Sequence, residues 1–364
     1  MTQYKNIPYI LVVNSKEDKN ILAGQLKKYF DETKSHYVVV MDESGYGKTI
    51  KDFEWISKLF FKLPTFNKLK KQSRKAEPKK SKGMSKRIAN ACMRFDPVAV
   101  VCPTAYSLLA AVESKKQNEF DAPIVSVIPD FTYDKNLSDS AVDYYIVENG
   151  QLKDSLVGGG IPASCVLELG VPVSGYKISH DEKQQLKEKL GLKDTPTVFV
   201  CAVEGKESVE ALDMLFDQGD IINVVVYVEN KKLQNKLRKK VELKGADNVQ
   251  LFDKLSLYND YLSASDILIT NYDAATIAKA FASFKAVIAF APKSDVQKAD
   301  VEYLTQNELI AYAPTPADVI IKLYDLLQTD LQKKLVENIS KRIKPDQLKD
   351  ICAFLASLTP SASE

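Results

Sequence analysis

No stretch of this 364-residue sequence approaches the roughly 20 apolar residues that a membrane-spanning helix needs. A multi-span membrane protein is excluded on that ground. Histidine is nearly absent, with only His36 and His180. The five cysteines, Cys92, Cys102, Cys165, Cys201 and Cys352, are scattered and odd in number. Without Cys/His clusters a zinc site is not expected. Without close cysteine pairs a reducing cytosol fits best, and Cys102 and Cys201, in or beside apolar runs, read as small buried thiols. Neither sign of charge dominates: 50 basic against 48 acidic residues leave a formal charge of +2. An anionic partner must therefore be met by a local patch, not by the whole chain. Met1 to Asn6 lead straight into a strand-like run, so no secretory signal is expected.

Glycine-rich phosphate loops are scarce as well. Gly47-Lys48-Thr49 looks like the end of a P-loop, but Asp42 stands five positions before Gly47, where that loop needs glycine. Asp42 and Glu43 would also repel phosphate, so the segment reads as a turn. Val13-Asn14-Ser15-Lys16-Glu17-Asp18 enters the first helix without glycine, so a dinucleotide fingerprint is missing. Gly158-Gly159-Gly160 reads as a helix C-terminus and turn.

What is present is alternation. Short β-branched runs at 9–13, 37–41, 98–102, 124–128, 144–147 and 166–169 recur in the first half, and at 197–201, 222–228, 249–252, 267–270 and 286–290 in the second. Amphipathic stretches lie between them, such as 20–30, 105–116, 207–216, 231–243 and 273–284. This is the pattern of doubly wound α/β folds with parallel strands buried on both faces. The run Gly170-Val171-Pro172-Val173-Ser174-Gly175 reads as a linker. After it, Ser179 and Glu182 have capping-box spacing, which leaves His180 in an exposed first turn. The expected division is a first domain over 1–172 and a second over 173–344. A last helix over 345–364 is placed to cross back to the first. A cleft between two such halves is the default ligand site.

One segment breaks the rhythm. Residues 53–94 contain no convincing strand. They open with Trp55, Phe60 and Phe61 among other apolar residues and continue through Lys70, Lys71, Arg74, Lys79 and Lys80, with Glu77 the only acid between Lys68 and Arg87. Aromatics beside a lysine cluster suit contact with an anionic membrane surface through 53–87. The alternative is a solvated basic loop beside an ordinary core helix. Nucleic acid is not expected, because no aromatics interleave the basic run as stacking platforms. A second ambiguous stretch is Ile267 to Thr276, a strand, a short loop and a helix start. A helix N-terminus suits a diphosphate, whereas Asn271 or Asp273 is equally placed to cap the helix itself.

The order of these segments resembles the GT-B glycosyltransferases of the monogalactosyldiacylglycerol synthase and processive diacylglycerol glucosyltransferase type, akin to the bacterial cell-wall N-acetylglucosaminyltransferase. Three passages carry the resemblance: Pro123 to Phe131, ending in Asp130-Phe131; Asp143-Tyr144-Tyr145-Ile146-Val147 followed by Leu169-Gly170-Val171-Pro172-Val173; and Ser263 to Thr270. The aromatic-basic segment also sits where that family holds its membrane- and lipid-binding region.

The resemblance implies an α/β fold of GT-B type, two Rossmann-like doubly wound domains facing a cleft. It implies a UDP-sugar donor substrate, a lipid or other hydroxyl acceptor, and no cofactor or protein-bound metal. The implied catalytic candidates are Glu17, Asp18, Asp130 and Asp134. The implied donor-site candidates are Lys206, Asn271, Asp273, Thr276, Lys279 and Gln297. The expected location is cytoplasmic, peripheral on the inner face of the cell membrane.

The sequence departs from that family at the donor loops. Ala202-Val203-Glu204-Gly205-Lys206 carries one glycine where the family has a glycine-rich turn. Asn271-Tyr272-Asp273-Ala274 replaces a Lys-Pro-Gly-Gly loop, and Lys279 replaces the ribose-binding glutamate. Ser294 to Asp300 keeps only Gln297 as a partial match. Two function classes therefore stand: a divergent glycosyltransferase, and a pseudo-glycosyltransferase that keeps the fold as a scaffold for binding a partner enzyme, a glycan or a membrane.

Overall fold

The computed structural model describes residues 7–14, 21–42, 45–46, 78–132, 138–171, 173, 178–219, 221–342 and 347–358. The chain forms two compact units. One comprises Met1–Pro129, Tyr133–Val173 and Asp346–Glu364; the other comprises Asp130–Thr132 and Ser174–Pro345.

The first unit holds strands β1 (Tyr9–Val13), β2 (Tyr37–Asp42), β3 (Gly45–Tyr46), β4 (Pro97–Cys102), β5 (Ile124–Val127), β6 (Tyr144–Val147) and β7 (Val166–Glu168). Their order in the sheet is β3-β2-β1-β4-β5-β6-β7. Every pairing is parallel except that of the two-residue β3 with β2. Helices α1 (Ile21–Thr33), α2 (Pro78–Phe95), α3 (Ala105–Lys116) and α4 (Gly150–Gly158) connect them, and α13 (Gln347–Ser357) closes the unit.

Strand alternation assigns the two faces. Ile10 and Val12 join Leu22, Leu26 and Phe30 of α1 and Ile351, Cys352 and Leu355 of α13 in one core. Leu11 and Val13 point the other way, to Met84, Ile88 and Cys92 of α2 and to Leu108 and Val112 of α3. Helix α2 therefore accounts for the C-terminal part of the segment that breaks the strand rhythm. Met84, Ile88 and Cys92 recur at helical spacing toward the sheet, while Lys86 and Arg87 are exposed. The residues earlier in that segment lie outside the described ones. Gly158 ends α4, and Gly159 and Gly160 form the turn that follows.

The second unit holds β8 (Thr197–Cys201), β9 (Asn223–Tyr227), β10 (Val249–Phe252), β11 (Ile267–Asn271), β12 (Ala286–Phe290) and β13 (Ala311–Ala313). Their order is β10-β9-β8-β11-β12-β13, parallel throughout. Its helices are α5 (His180–Lys189), α6 (Gly205–Phe216), α7 (Lys231–Lys244), α8 (Tyr258–Ala264), α9 (Ala274–Ala282), α10 (Asp295–Gln306), α11 (Pro316–Gln328) and α12 (Leu331–Arg342). Ser179 and Glu182 form the capping box that opens α5, and His180 is exposed. One core layer sets Val198, Val200, Ile267, Ile269 and Ile288 against Leu212 and Leu215 of α6 and Val319 and Leu323 of α11. The other face carries an aromatic group in which Phe199, Tyr227, Phe252 and Tyr258 meet at ring distances of 5.0–6.0 Å. Both units thus repeat the Rossmann-like strand order, and together they make the two-domain GT-B fold.

Short elements such as β3, with two residues, do not show in the periodicity. β13 has only three residues and α8 only seven, too short for a period to show. Helix α10 begins at a capping box whose residues also read as a loop passage.

Gly170 is fixed by sterics. Its φ is +90°, and a Cβ there would stand 2.3 Å from Cδ of Gln347. Gln347 is buried, and its Oε1 accepts from the Val171 N–H at 3.2 Å. Gly170→Ala should destabilise the protein by about 2 kcal/mol in urea unfolding. That loss should shrink when Gln347→Ala is also present. An equal loss in both backgrounds would show that the close approach is not the cause.

Candidate functional site

In parallel sheets, ligand-binding groups collect at the carboxyl ends of the strands. In the second unit the neighbouring strands β8, β11 and β12 each run through a short loop into a helix: α6, α9 and α10. Two of these loops begin with strained backbone. Ala202, just after β8, has φ 53°, and Ala291, just after β12, has φ 50°. A left-handed residue other than glycine costs about 1 kcal/mol, and such strain gathers where function fixes the backbone.

Each helix start presents unpaired N–H groups and the positive end of a dipole. The three are answered differently. On α9, Asp273 accepts from the Thr276 backbone N–H at 3.2 Å and from the Thr276 hydroxyl. A carboxylate is therefore already seated there. On α10, Ser294 Oγ accepts from Gln297 N–H at 3.1 Å, while Gln297 Oε1 accepts from the Lys293 and Ser294 N–H groups at 2.7 and 3.2 Å. Gln297 also reaches back with Nε2 to the Tyr272 carbonyl at 3.4 Å. On α6, the N-cap Glu204 makes no side-chain cap. Its carboxylate lies 3.1 Å from Lys293 Nζ. Gly205, Lys206 and Glu207 are exposed, and a Cβ on Gly205 would meet no atom within 4 Å. The α6 start is thus the open one.

The open end is braced from beneath. Ser208 Oγ accepts from Glu204 N–H at 3.1 Å and lies 2.6 Å from Glu204 O and 2.7 Å from Asn271 Oδ1. Asn271 Nδ2 donates to Glu204 O at 2.8 Å. Asn271 is therefore a buried strut between β11 and the β8–α6 turn. Beside it, Lys279 Nζ stands 4.4 Å from the Tyr258 ring centroid, and the Tyr258 hydroxyl is 3.6 Å from Cys201 Sγ. Burial holds the Lys279 amine below its usual basicity.

A second group is acidic. Asp300 on α10 is fully buried. Its Oδ1 accepts from the Thr132 hydroxyl at 2.5 Å and its Oδ2 from the Tyr272 hydroxyl at 2.6 Å. Burial raises its pKa, and those donors, with the Thr132 and Phe131 backbone, pull it back. Phe131 packs edge-on against Phe281 at 5.8 Å. Asp130, half-buried next to this clasp, is pushed up to about 7, first by desolvation and then by the charges of Asp300 and Asp273. Among the described residues, no group of three or more His, Cys, Asp or Glu is arranged to hold a metal ion.

Of the residues the sequence points to, Asn271 ends β11, and Lys206, Asp273, Thr276, Lys279 and Gln297 follow β8, β11 or β12. Asp130 joins the acidic group. Glu17, Asp18 and Asp134 lie outside the described residues, as do Trp55, Phe60, Phe61, Lys70, Lys71 and Arg74. Lys79 and Lys80 fall in the first turn of α2, where only the backbone is described. Ser208, Tyr258, Lys293 and Asp300 are not among the residues the sequence points to. Their roles come from contacts made across the sheet edge, which no local spacing announces.

Comparison with known proteins bears out the resemblance. Residues 20–173 match the family model for monogalactosyldiacylglycerol (MGDG) synthase. A processive diacylglycerol beta-glucosyltransferase of Bacillus mycoides is 24% identical over 247 residues, covering 65% of this chain and 62% of that protein. One from Bacillus cereus is 26% identical over the same span. The chain thus spans about three-fifths of the length of these relatives. Among solved structures, MurG of Acinetobacter baumannii superposes with a TM-score of 0.63 at 12% identity, over 96% of this chain and 99% of that one. A UDP-GlcNAc 2-epimerase from Neisseria meningitidis, bound to UDP-GlcNAc, gives 0.63 at 13%, over 95% and 99%. A glycosyltransferase from Rickettsia africae gives 0.56 at 16%, over 97% and 100%. These likenesses are to the fold.

The acidic group has a pH signature. Asp130 titrates near 7 in the fold and near 3.9 unfolded, so its charging opposes folding as pH rises between those values. Asp130→Asn should therefore gain stability over the parent as pH rises from 4 to 7, by on the order of 2 kcal/mol, with a plateau above pH 8. Urea unfolding at pH 5 and pH 8 checks this. An equal gain at both values would mean that neither burial nor the neighbouring charges raise the Asp130 pKa.

Proposed function

For a chain of GT-B fold similar in sequence to diacylglycerol glucosyltransferases, we propose sugar transfer from a UDP-sugar to a lipid or other hydroxyl acceptor at a membrane surface. The observation that carries this reading is the uncapped start of α6. It is the one helix start of the three that no side chain caps, it is exposed, and it adjoins the strained turn after β8. Backbone N–H groups of Gly205, Lys206 and Glu207, with the Lys206 ammonium, would hold the donor diphosphate there. In this reading the second unit is the donor side. The first, with the aromatic-basic segment, is the acceptor and membrane side, and the protein works from the inner face of the cell membrane.

The chemistry is a displacement at the anomeric carbon. The acceptor hydroxyl oxygen bonds to that carbon, the bond to the diphosphate oxygen breaks, and a base takes the hydroxyl proton. Asp130 is suited to be that base, because a carboxylate with pKa about 7 can accept a proton near neutral pH. Glu17, Asp18 and Asp134 are the further candidates. Diphosphate leaving is eased by N–H groups already oriented toward the charge.

A second reading rests on the capped α9 start. Asp273 sits on it, with the Asp130 and Asp300 charges close enough to be felt. These would repel a diphosphate laid against α9 and favour a non-catalytic protein that binds a partner enzyme or a membrane.

Calorimetric titration with UDP and UDP-sugars separates the two. The first reading expects a Kd below about 1 mM. Lys206→Glu should weaken binding about tenfold, since reversing one charge beside a diphosphate is worth about 1.4 kcal/mol. No heat with any uridine nucleotide would leave the second reading.

A further inference from the structure

Helix α7 is strongly basic, yet its cations are not equivalent. Its sequence, KKLQNKLRKKVELK, contains Glu242 as the only acid. Asn230 caps its start by accepting from Leu233 N–H, and Gly245, at φ 61°, ends it. At 100° per residue, Gln234, Leu237 and Val241 form the inward stripe. Gln234 and Leu237 are buried, and Val241 packs on the core. On the flanks the lysines are paired: Lys231 with Asp253, Lys240 with Asp213 at 2.9 Å, and Lys244 with Asp217 at 2.6 Å.

The outward stripe is different. Lys232, Lys236, Lys239 and Leu243 follow one another at steps of four, three and four, opposite the buried face. All four are exposed, and Leu243 is 87% exposed, the most of any large apolar residue among those described. No ion pair or hydrogen bond reaches the three lysines among the described residues. Pairing of the flank lysines and none on the crest leaves a cationic ridge about 10 Å long, with the apolar tip about 6 Å beyond it.

We propose that the crest of α7 is a second membrane contact, which docks the second unit onto a bilayer rich in anionic lipid. Lys232, Lys236 and Lys239 meet headgroup phosphates, and Leu243 enters the acyl boundary. The crest of a single helix offers a line of charge that a flat surface can meet, and its one exposed apolar residue lies at the end of that line. A strand-tracking nucleic-acid site would need aromatic platforms, and the crest has none. Each lysine at an anionic surface is worth about fivefold in partition. The inference deepens the membrane-surface part of the proposed function and rests on it. It does not depend on the α6 phosphate site.

The test is co-sedimentation of the full chain with vesicles of phosphatidylcholine alone and of phosphatidylcholine with 30% phosphatidylglycerol. Lys232→Gln/Lys236→Gln/Lys239→Gln should lower partition onto the anionic vesicles at least tenfold, and Leu243→Ser a few-fold. A control with the same charge change elsewhere, Lys254→Gln/Lys333→Gln/Lys341→Gln, should lower it less than threefold. Circular dichroism should show both triple variants folded. Equal losses in the two triple variants would overturn the proposal, because net charge alone would then explain binding. So would unchanged partition of the α7 variant, or a loss confined to binding of a double-stranded RNA probe. A chain lacking residues 53–87 separates this contact from the other. Its residual partition should fall further with the α7 substitutions, while UDP titration of both variants should be unchanged.

Discussion

A helix that starts at the edge of a parallel sheet brings N–H groups with no partner and the positive end of a dipole. Something must answer them, and what does so decides what the edge can bind. In the second unit three such helix starts stand on neighbouring strands. Asp273 answers one from within, and the Ser294–Gln297 box answers another. The third, at α6, is left without a side-chain cap. Anion chemistry at this edge therefore has one open address, and the surrounding residues are arranged around it.

The bracing of that address is polar and buried. Asn271 and Ser208 hold the Glu204 backbone from below, so the turn cannot collapse onto the sheet. Lys293 draws the Glu204 carboxylate toward itself. On the far side of the α9 start, Asp300 gathers the Tyr272 and Thr132 hydroxyls around one buried carboxylate. Acid on one side and open N–H groups on the other give the edge a charge gradient. The proposed function uses that gradient, with the donor diphosphate toward α6 and the Asp130 carboxylate as the proton acceptor. At the α9 start, the Asp273 carboxylate already occupies the place of an anion.

Much of the architecture is legible in the sequence. Apolar runs of four to seven residues mark every strand but β3 and β13, because strands buried on two faces need no alternation. The Ser179/Glu182 spacing marks a helix start that the structure reproduces. The departures at Ala202, Asp273 and Lys279 can also be read in advance, since the first two place a side chain or a charge where the family's backbone approaches phosphate and the third replaces a ribose-binding glutamate. The compensation cannot be read. Nothing local to Ser208 or Asp300 signals that the first supports the β8–α6 turn or that the second clasps a tyrosine far along the chain. The crest of α7 is legible as basic, but only pairing on its flanks shows which lysines remain open.

The most direct test of the central claim is a backbone amide shift map of the 15N-labelled protein during titration with UDP. Saturable shifts are expected at Gly205, Lys206 and Glu207, with Ala274, Ala275 and Thr276 of α9 moving little. Shifts centred on the α9 residues would contradict it, because an anion would then have displaced Asp273 from the helix it caps.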